Sequence, residues 1–234
     1  MVNNGIAVGL PVYDLNLNKI EITLNNINQT YKNVKFVILC EKRNIEDEKM
    51  INLFFEKVYE TNMWKDNKII FAVNLTKFGL AKNWNRTKQI CSELEGDYKY
   101  FCWFSDHDEY SSTFLNECAH ILEKNIDYVS CFPNLMINQK LKRIKIGGNP
   151  HGHRNNPNSL GYGQSIYGLH RLDSITDIEF SNNYLPDRLF MQELSTRGRV
   201  VEFHMENIIF RKIVEPNSEF SFQSYLNTIF YGIR

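Results

Sequence analysis

Residues Tyr98–Tyr110 read YKYFCWFSDHDEY, and the fold can be inferred from this segment first. Its apolar run from Tyr100 to Phe104 carries no charge and stops at a polar segment that contains Asp106 and Asp108. Such a run is typical of a strand buried on both faces of a parallel sheet, and ligands bind beyond the carboxyl ends of such strands. Residues two apart in an extended chain point to the same side, so the two carboxylates can approach one cation together. The pattern predicts a divalent-metal site, and a solvated acidic turn is the alternative.

The length and composition indicate a folded globular protein. The chain has 234 residues, enough for one large α/β domain or two small ones. Lys and Arg number 27 and Asp and Glu number 27, so the net charge is zero and provides no general attraction to nucleic acid. Apolar residues make up 43% and aromatic residues 13%, a composition that disordered chains lack.

The cysteines and the absence of long apolar runs predict a cytoplasmic protein. The chain has five cysteines, an odd number, with no C-x-x-C pair. Several lie in apolar runs, where a free cysteine behaves as a small buried hydrophobe, so we expect a reducing compartment rather than a disulfide framework or a zinc site. The first residues, MVNNGIAVGLPVYD, do not form a secretory signal, and no apolar run approaches the ~18 residues of a membrane span.

Strand-like and helix-like segments alternate along the chain. The predicted strands are Ile6–Pro11, Val34–Cys40, Ile69–Val73, the strand within Tyr98–Tyr110, Tyr128–Phe132, Gln164–Arg171 and Val200–His204. The predicted helices cover about residues 14–30, 46–59, 79–94 and 113–124, and a last one begins at Leu185-Pro186-Asp187 and ends with Gly198 as its C-cap. This alternation predicts parallel βαβ units in a mostly parallel, Rossmann-like sheet flanked by helices, as a single α/β domain.

A change in composition at Gly147 indicates a long loop. GGNPHGHRNNPNSLGYG and the residues up to Gly168 contain six of the twelve glycines in the chain. A stretch of roughly twenty such residues inside a domain is uncommon and is usually functional or mobile.

Five short motifs occur in one order along the chain. They are Pro11-Val12-Tyr13-Asp14, Gln29-Thr30-Tyr31-Lys32-Asn33, Gly79-Leu80-Ala81-Lys82-Asn83-Trp84-Asn85-Arg86, Asp106-His107-Asp108, and Asp187 followed eleven residues later by Gly198. Together they resemble the GT-A-fold glycosyltransferases of the large family 2 type, from about residue 6 to residue 204.

The chain departs from the family pattern at three places. The first motif ends in Asp14 where the family has Asn, and Pro186 stands at the first position of an acidic pair. The second strand is followed by Cys40-Glu41-Lys42-Arg43 instead of an Asp-Asp-Gly-Ser type turn. Recognition of the nucleobase therefore cannot be taken from the family, and the sugar nucleotide stays open.

The resemblance implies roles for particular residues. Donor binding is assigned to Pro11, Tyr13, Asp14, Glu41, Asn85, Arg86 and Asp106. Metal binding is assigned to Asp106, Asp108 and His204, with Mn²⁺ or Mg²⁺ as the divalent cation. Asp108 is expected to ligate the metal directly, and Asp106 to lie near the metal or the ribose. Asp187 is expected to be the catalytic base of an inverting transfer.

Each of these residues also has a structural alternative. Pro11 and Tyr13 suit core or turn chemistry, Asn85 and Arg86 suit a helix start, and a histidine that ends a strand, such as His204, is more often structural. A carboxylate at a helix N-terminus, such as Asp187, interacts favourably with the helix dipole without any catalytic role.

Further polar residues are weaker candidates. Asp173, Asp177 and Glu179 are rivals for the base; Lys142, Arg143 and Lys145 form a basic strip that suits a solvated face or a diphosphate clamp. His151, His153 and Arg154 lie in the glycine-rich loop, where they would close over the donor or meet the acceptor. A zinc site at the two histidines is disfavoured because cysteine partners are missing.

The resemblance implies a metal-dependent, inverting hexosyltransferase that moves a sugar from a nucleotide-sugar donor to a glycan or another hydroxyl acceptor. The glycosyltransferase domain is predicted at residues 1–215, with a nucleotide-binding half at 1–110, an acceptor half at 111–215 and a tail at 216–234. No nucleic-acid partner is expected, and peripheral membrane contact and oligomer formation stay open.

Two other functions remain as alternatives. One is a nucleotide-sugar or glycan-binding module that lacks turnover. The other is a sugar nucleotidyltransferase, which would need a glycine-rich basic loop straight after the first strand, where this chain has Pro11-Val12-Tyr13-Asp14.

Overall fold

Alternating β-strands and α-helices make up the first 133 residues, as the sequence predicts. A computed structural model describes residues 4–13, 15–76, 78–133, 135–137, 140–142, 162–180, 186–203 and 210–212. The strands are β1 (Gly5–Val12), β2 (Val34–Glu41), β3 (Ile69–Asn74), β4 (Tyr98–Trp103), β5 (Glu109–Tyr110), β6 (Tyr128–Pro133), β7 (Leu135–Ile137), β8 (Lys140–Lys142), β9 (Leu169–Arg171), β10 (Arg199–Phe203) and β11 (Phe210–Lys212). The helices are α1 (Leu17–Asn26), α2 (Ile45–Tyr59), α3 (Asn62–Lys65), α4 (Leu80–Ser92), α5 (Phe114–Lys124) and α6 (Pro186–Arg197), with a 3₁₀ helix at Tyr162–Tyr167.

Seven strands form the main sheet in the order β10-β6-β9-β4-β1-β2-β3. Only β9 runs against its neighbours β4 and β6, and the other adjacent pairs are parallel. The prediction of a single-domain α/β fold with a mostly parallel sheet is therefore confirmed. The division into halves at 110 and 111 stays a prediction, and the tail 216–234 lies outside the described residues.

The first strand is longer than expected, because Pro11 lies inside β1 instead of ending it. Pro11 is in register with Leu39 of β2, whereas the pairing of β1 with β4 ends at Gly9 and Trp103. A proline has no N–H to donate, so it is tolerated where a strand has lost one of its two neighbours.

Trp103, the last residue of β4, is the centre of the core. Its side chain is fully buried, and its ring lies 5.3 Å from Trp84 of α4, 5.2 Å from Phe180 and 5.2 Å from Phe190 of α6, measured between centroids. Aromatic pairs at such distances contribute about 0.5–1.5 kcal/mol each beyond their buried area. The packing therefore joins α4 and β4 to residues that come more than 75 positions later.

Two segments differ from the sequence-based expectation. Residues 164–171 were expected to be one strand, but the chain forms the 3₁₀ helix first and only Leu169–Arg171 pairs in the sheet. Gly198 follows α6 as predicted, but its φ is not positive, so it is not a left-handed cap. A Cβ at Gly198 would lie 2.4 Å from Val129 Cγ1, so the glycine allows the chain to pass close to β6.

A second, four-stranded sheet has the order β5-β11-β7-β8 and was not predicted. Its strands have only two or three residues each, which is too short for a periodic pattern in the sequence.

All five cysteines are free and buried, as expected for cysteines that pack as small hydrophobes. Among the described helices, none combines the length and the apolar character needed to cross a bilayer.

His170 of β9 is a buried histidine in the middle of the main sheet. Its Nε2 donates to the Ile166 carbonyl at 2.8 Å, and in the described part of the chain its Nδ1 has no hydrogen-bond partner. Burial lowers the pKa of His170 from 6.5 to about 4. Between these two pH values the unfolded chain binds a proton that the folded chain does not bind, so folding stability falls as the pH falls.

We expect the wild-type chain to lose about 3 kcal/mol of its free energy of unfolding through His170 between pH 6.5 and pH 4. His170→Gln removes the titration and should flatten this part of the pH profile, as measured by urea unfolding at a series of pH values. The matched control is His120→Gln on the exposed face of α5, which should keep the wild-type slope. An unchanged slope in His170→Gln would contradict the assignment.

Candidate functional site

The candidate site lies where parallel strands end at one edge of the main sheet. β1 ends at Val12, β2 at Glu41 and β4 at Trp103, and the acidic turn Ser105–Asp108 follows β4 directly. Ligands of open α/β sheets bind in the crevice beyond this edge. Tyr13, which follows β1, thus lies next to the Asp-His-Asp turn, and Glu41 lies one strand further along the same edge.

The turn after β4 is held in place from α1 by Asn26. The Asn26 side-chain amide donates to the Asp108 carbonyl at 2.7 Å, and its Oδ1 accepts from the Tyr110 N–H at 3.0 Å. The Tyr110 ring stacks on Phe104 with 3.9 Å between centroids. Because Asn26 is 1% exposed and uses both polar atoms, the backbone of the turn is fixed before any ligand binds.

Asp106 is a buried carboxylate that the chain itself supplies with donors. Its Oδ2 accepts from the Tyr13 N–H at 3.0 Å and lies 3.3 Å from Lys19 Nζ, and its Oδ1 lies 2.6 Å from His107 Nδ1. Burial acts to raise the pKa of Asp106, but the hydrogen bond from His107 and the charge of Lys19 outweigh it and lower the pKa. Asp106 is therefore ionised and joins the end of β1 to the turn after β4.

The imidazole of His107 lies between the two aspartates of the turn. Its Nδ1 bonds to Asp106, and its Nε2 lies 3.9 Å from Asp108 Oδ2. Burial acts to lower the pKa of His107, but the hydrogen bond that it donates to Asp106 and the charge of Asp108 outweigh burial and raise the pKa. Both carboxylates thus lie within 4 Å of the His107 ring, and their convergence on one cation stays a prediction.

The donor atoms of the turn can be compared with those that a divalent cation requires. Within the described residues, no group of three His, Cys, Asp or Glu side chains is arranged to hold a metal ion, and His204 lies outside them. Asp106 and Asp108 are carboxylates, which are the ligands that Mg²⁺ and Mn²⁺ take together with phosphate oxygens. The donor set fits a cation that shares its coordination shell with a diphosphate, and it does not fit an all-protein metal site.

Tyr167 connects the turn electrostatically with α6. Burial raises the pKa of Tyr167, and the charges of Asp108, Asp187 and Asp106 raise it further. The charges of the three predicted carboxylates therefore act on one phenol, although Asp187 follows Asp108 by 79 positions (187 − 108). Tyr167 belongs to a segment that the sequence predicted as a strand, so no pattern marked it as part of a site.

Asp187 lies in the first turn of α6 and is partly buried. Its Oδ1 accepts from the Arg188 N–H at 2.8 Å, which orients the carboxylate at the helix N-terminus. The rival Asp177 is exposed and pairs with Arg197, whose Nη2 lies 3.1 Å from Asp177 Oδ2. Asp173 and Glu179 are exposed as well, so Asp187 alone of these four carboxylates is partly buried, and its charge acts on Tyr167 together with the charges of the acidic turn.

Tyr13 and Lys19 extend the site along the end of β1. Lys19 Nζ donates to the Tyr13 carbonyl at 2.6 Å as well as pairing with Asp106, and Asn16 Oδ1 accepts from the Lys19 N–H and caps α1. The Arg43 guanidinium lies 4.8 Å from the centroid of the Tyr13 ring. Lys19 and Arg43 were not predicted, because one lysine in a polar helix and one arginine in a turn usually face solvent.

Two predicted donor-binding residues of α4 are directed elsewhere. The side-chain amide of Asn85 donates to the Phe180 carbonyl at 2.9 Å, and its Oδ1 accepts from the Phe180 N–H at 2.8 Å. Arg86 is exposed, and its Nη1 donates to Gln89 Oε1 at 3.0 Å. The geometry supports the structural alternative for Asn85, and donor binding by either residue stays a prediction.

Lys88, on the same helix as Asn85, also binds the segment that contains Phe180. Lys88 is 4% exposed, and its Nζ donates to the carbonyls of Ile175, Thr176 and Ile178. Burial lowers the pKa of Lys88. Residues 175–180 are therefore held against α4 by two polar side chains, neither of which a sequence pattern identifies as buried.

Several candidates cannot be placed. Asp14, Arg143, Lys145, His151, His153, Arg154 and His204 lie outside the described residues, and of Lys142 only the backbone in β8 is described.

Solved structures share this architecture. TarS of S. aureus, as the fragment 1–349, matches with a TM-score of 0.67 at 13% identity, over 89% of this chain and 60% of that fragment. The same fragment in complex with UDP-GlcNAc gives a TM-score of 0.60 at 15% identity, over 96% of this chain and 64% of that one. The mannosyltransferase PcManGT from Pyrobaculum calidifontis, in complex with GDP-Man and Mn²⁺, gives a TM-score of 0.64 at 10% identity, over 92% and 58%.

The chain has the GT-A fold. The present chain spans less than two thirds of the length of each of these solved structures. Neither a protein-family model nor a curated protein matches its sequence. At such low identity the likeness establishes the fold alone, and the activity has to be argued from the residues of this GT-A chain.

We expect Asn85→Ala to reduce the free energy of unfolding by about 1–3 kcal/mol, because it leaves the buried Phe180 N–H and carbonyl without partners. The matched control, Arg86→Ala, should change it by no more than about 0.5 kcal/mol, since the side chain is exposed. Urea unfolding measures both. An Asn85→Ala protein of wild-type stability that no longer binds nucleoside diphosphates would instead indicate a direct donor-binding role.

Proposed function

We propose that this chain is a metal-dependent, inverting glycosyltransferase that moves a sugar from a nucleotide-sugar donor to an acceptor hydroxyl. The observation that carries the proposal is the position of Asp106 and Asp108 in the turn directly after β4, at the carboxyl edge of a GT-A sheet, where their charges and that of Asp187 act on the same phenol, that of Tyr167. Structural neighbours in complex with UDP, UDP-GlcNAc and GDP-Man support a nucleotide-sugar donor.

The residues of the turn would bind the donor. Asp108, fully buried after β4, would hold a divalent cation together with the donor diphosphate, and Asp106, fixed by Tyr13 and Lys19, would lie near the metal or the ribose. When bound, Mn²⁺ or Mg²⁺ neutralises the charge that develops on the diphosphate leaving group. The Mn²⁺ of the PcManGT complex supports this choice of cofactor.

Asp187 would act as the base of the transfer. It would take the proton of the acceptor hydroxyl while the hydroxyl oxygen bonds to the anomeric carbon and the bond from that carbon to the diphosphate breaks. A single displacement of this kind inverts the anomeric configuration and releases a nucleoside diphosphate. The position of Asp187 in the first turn of α6, on the opposite half of the chain from Tyr13 and Glu41, supports a base that faces the acceptor.

The sugar, the acceptor and the cellular compartment are supported by other observations. A hexose as the transferred sugar and a glycan as the acceptor stay predictions from the family resemblance. The five buried free thiols support a reducing compartment such as the cytoplasm.

Donor hydrolysis or transfer should require a divalent cation and should stop in excess EDTA. Asp108→Asn should lower the rate by about 100-fold or more, because stabilisation of the leaving group is worth several kcal/mol. The matched control is Asp97→Asn, an exposed carboxylate at the amino end of β4, which should leave the rate unchanged. A nucleotide-sugar hydrolysis screen with Mn²⁺ and Mg²⁺ measures the rates, and full activity in EDTA would refute the metal requirement.

Asp187→Asn should lower kcat by about 10²–10⁴-fold and leave the affinity for the nucleoside diphosphate unchanged, because a base acts on the acceptor and not on the donor. Asp177→Asn serves as the control and should keep kcat near the wild-type value. Calorimetric titration of nucleoside diphosphates measures donor affinity separately from turnover. Specific binding without turnover for any acceptor would favour the binding-module alternative instead.

A further inference from the structure

Glu41, the last residue of β2, is a buried carboxylate to which none of the described residues donates a hydrogen bond. Its side chain is 6% exposed, and within the described part of the chain neither Oε1 nor Oε2 has a hydrogen-bond partner. Removing an ionised carboxylate from water costs several kcal/mol unless donors replace the water. A protein that keeps such a group at the ligand-binding edge of its sheet leaves two acceptor oxygens for a bound molecule.

The cations that follow Glu41 in the chain bind to other groups. Lys42 Nζ lies 2.8 Å from Glu48 Oε2, and Arg43 forms a two-point contact with Asp47 through Nε at 3.0 Å and Nη2 at 3.1 Å. The turn after β2 is thus folded back onto α2. Its charges stabilise the start of that helix and do not neutralise Glu41.

The nearest amide on the next strand is engaged too. Asn74 is in register with Glu41 across β2 and β3, but its side-chain amide donates to Asn83 Oδ1 of α4 at 2.9 Å. Asn83 is 2% exposed, so this contact belongs to the interior. Neither Asn74 of β3 nor Asn83 of α4 therefore donates a hydrogen bond to Glu41.

Tyr13 follows β1, the strand on the other side of Glu41. Val12 of β1 is in register with Cys40 of β2, so the next residues, Tyr13 and Glu41, follow as neighbours at the sheet edge. The Tyr13 ring is partly exposed and carries the Arg43 guanidinium on one face. An aromatic ring next to a double acceptor provides stacking and edge recognition for a planar heterocycle.

We propose that Glu41 binds the Watson–Crick edge of guanine, so that the donor is a guanosine-diphosphate sugar. Guanine presents two adjacent donors, N1–H and the N2 amino group, which match the two oxygens of a carboxylate. Uracil presents one N–H between two carbonyl oxygens, so it would leave the second oxygen of Glu41 without a donor. Adenine and cytosine each present an amino group next to a ring-nitrogen acceptor, so they also offer a carboxylate only one donor.

This inference rests on the proposed function, since it assumes that a nucleotide binds at this edge. It adds the identity of the base, which the resemblance leaves open because Cys40-Glu41-Lys42-Arg43 departs from the family pattern.

Isothermal titration of the full chain with GDP, IDP, UDP and ADP, each with and without Mn²⁺, tests the inference. IDP lacks the N2 amino group of GDP. We expect GDP to bind about tenfold or more tighter than UDP and ADP, and IDP to bind about tenfold more weakly than GDP, because each lost bond involves a charged acceptor. The comparison of GDP with IDP uses the unaltered chain and therefore does not depend on the folding of any variant.

Glu41→Gln then assigns the effect to this residue. The variant should lower GDP affinity by about tenfold or more and should nearly abolish the preference for GDP over IDP, because the amide keeps only one acceptor. Glu46→Gln, an exposed residue of α2, is the matched control and should keep both affinities. Circular dichroism verifies that the variants are folded.

The outcomes separate the two proposals. UDP or ADP binding as tightly as GDP, or a GDP affinity unchanged in Glu41→Gln, would overturn the guanine assignment and leave a nucleotide-dependent transferase standing. Failure of every nucleoside diphosphate to bind, with and without Mn²⁺, would overturn the proposed function and the guanine assignment together.

Discussion

The packing of aromatic rings around Trp103 is the constraint on which the candidate site depends. Trp103 is fully buried at the end of β4 and contacts rings from α4 and α6. The acidic turn begins two residues later, and Asp187 begins the helix that contributes Phe190 to the same cluster. The positions of the turn and of Asp187 relative to each other are therefore set by apolar packing, which is insensitive to whether a ligand is present. Charged groups that would repel one another are brought close because the rings behind them exclude other arrangements.

The acidic residues of the site differ in how many hydrogen-bond donors and positive charges the chain places beside them. Asp106 receives a backbone N–H, a lysine and an imidazole, so its charge is compensated within the protein. Glu41 receives no such donor from the described residues. The compensated carboxylate links β1 to the turn after β4, whereas an uncompensated buried carboxylate carries a desolvation cost that a ligand with its own donors would reduce. The distribution of hydrogen-bond donors thus distinguishes Asp106, which organises the site, from Glu41, whose oxygens we propose to bind the donor nucleotide.

The sequence was sufficient to predict most strands and helices of the main sheet, because apolar runs and helical spacing are local signals. The strands of the first half, the buried run before the acidic turn and the helix after Leu185 are confirmed to within a few residues. The short strands of the second sheet and the antiparallel insertion of β9 were not predicted, because three residues carry no period. Within the site, Asn26, Lys19 and Tyr167 were missed for another reason. Asp108 follows Asn26 by 82 positions and Asp106 follows Lys19 by 87 (106 − 19), and a single polar residue on a helix gives no sign that it is buried. Tyr167 lies in a segment whose pattern predicts a strand.

The attachment of residues 175–180 to α4 has a consequence for how the chain can be divided. Asn85 and Lys88 come from the half assigned to the nucleotide, yet their polar atoms are satisfied by backbone groups of the other half. A fragment that ends near residue 110 would expose a buried lysine, an asparagine and the ring of Trp84 at once. A division of the chain at residue 110 would therefore cut through this attachment, and exchange of the residues after 110 between related chains would have to carry α4 with it to preserve the contacts.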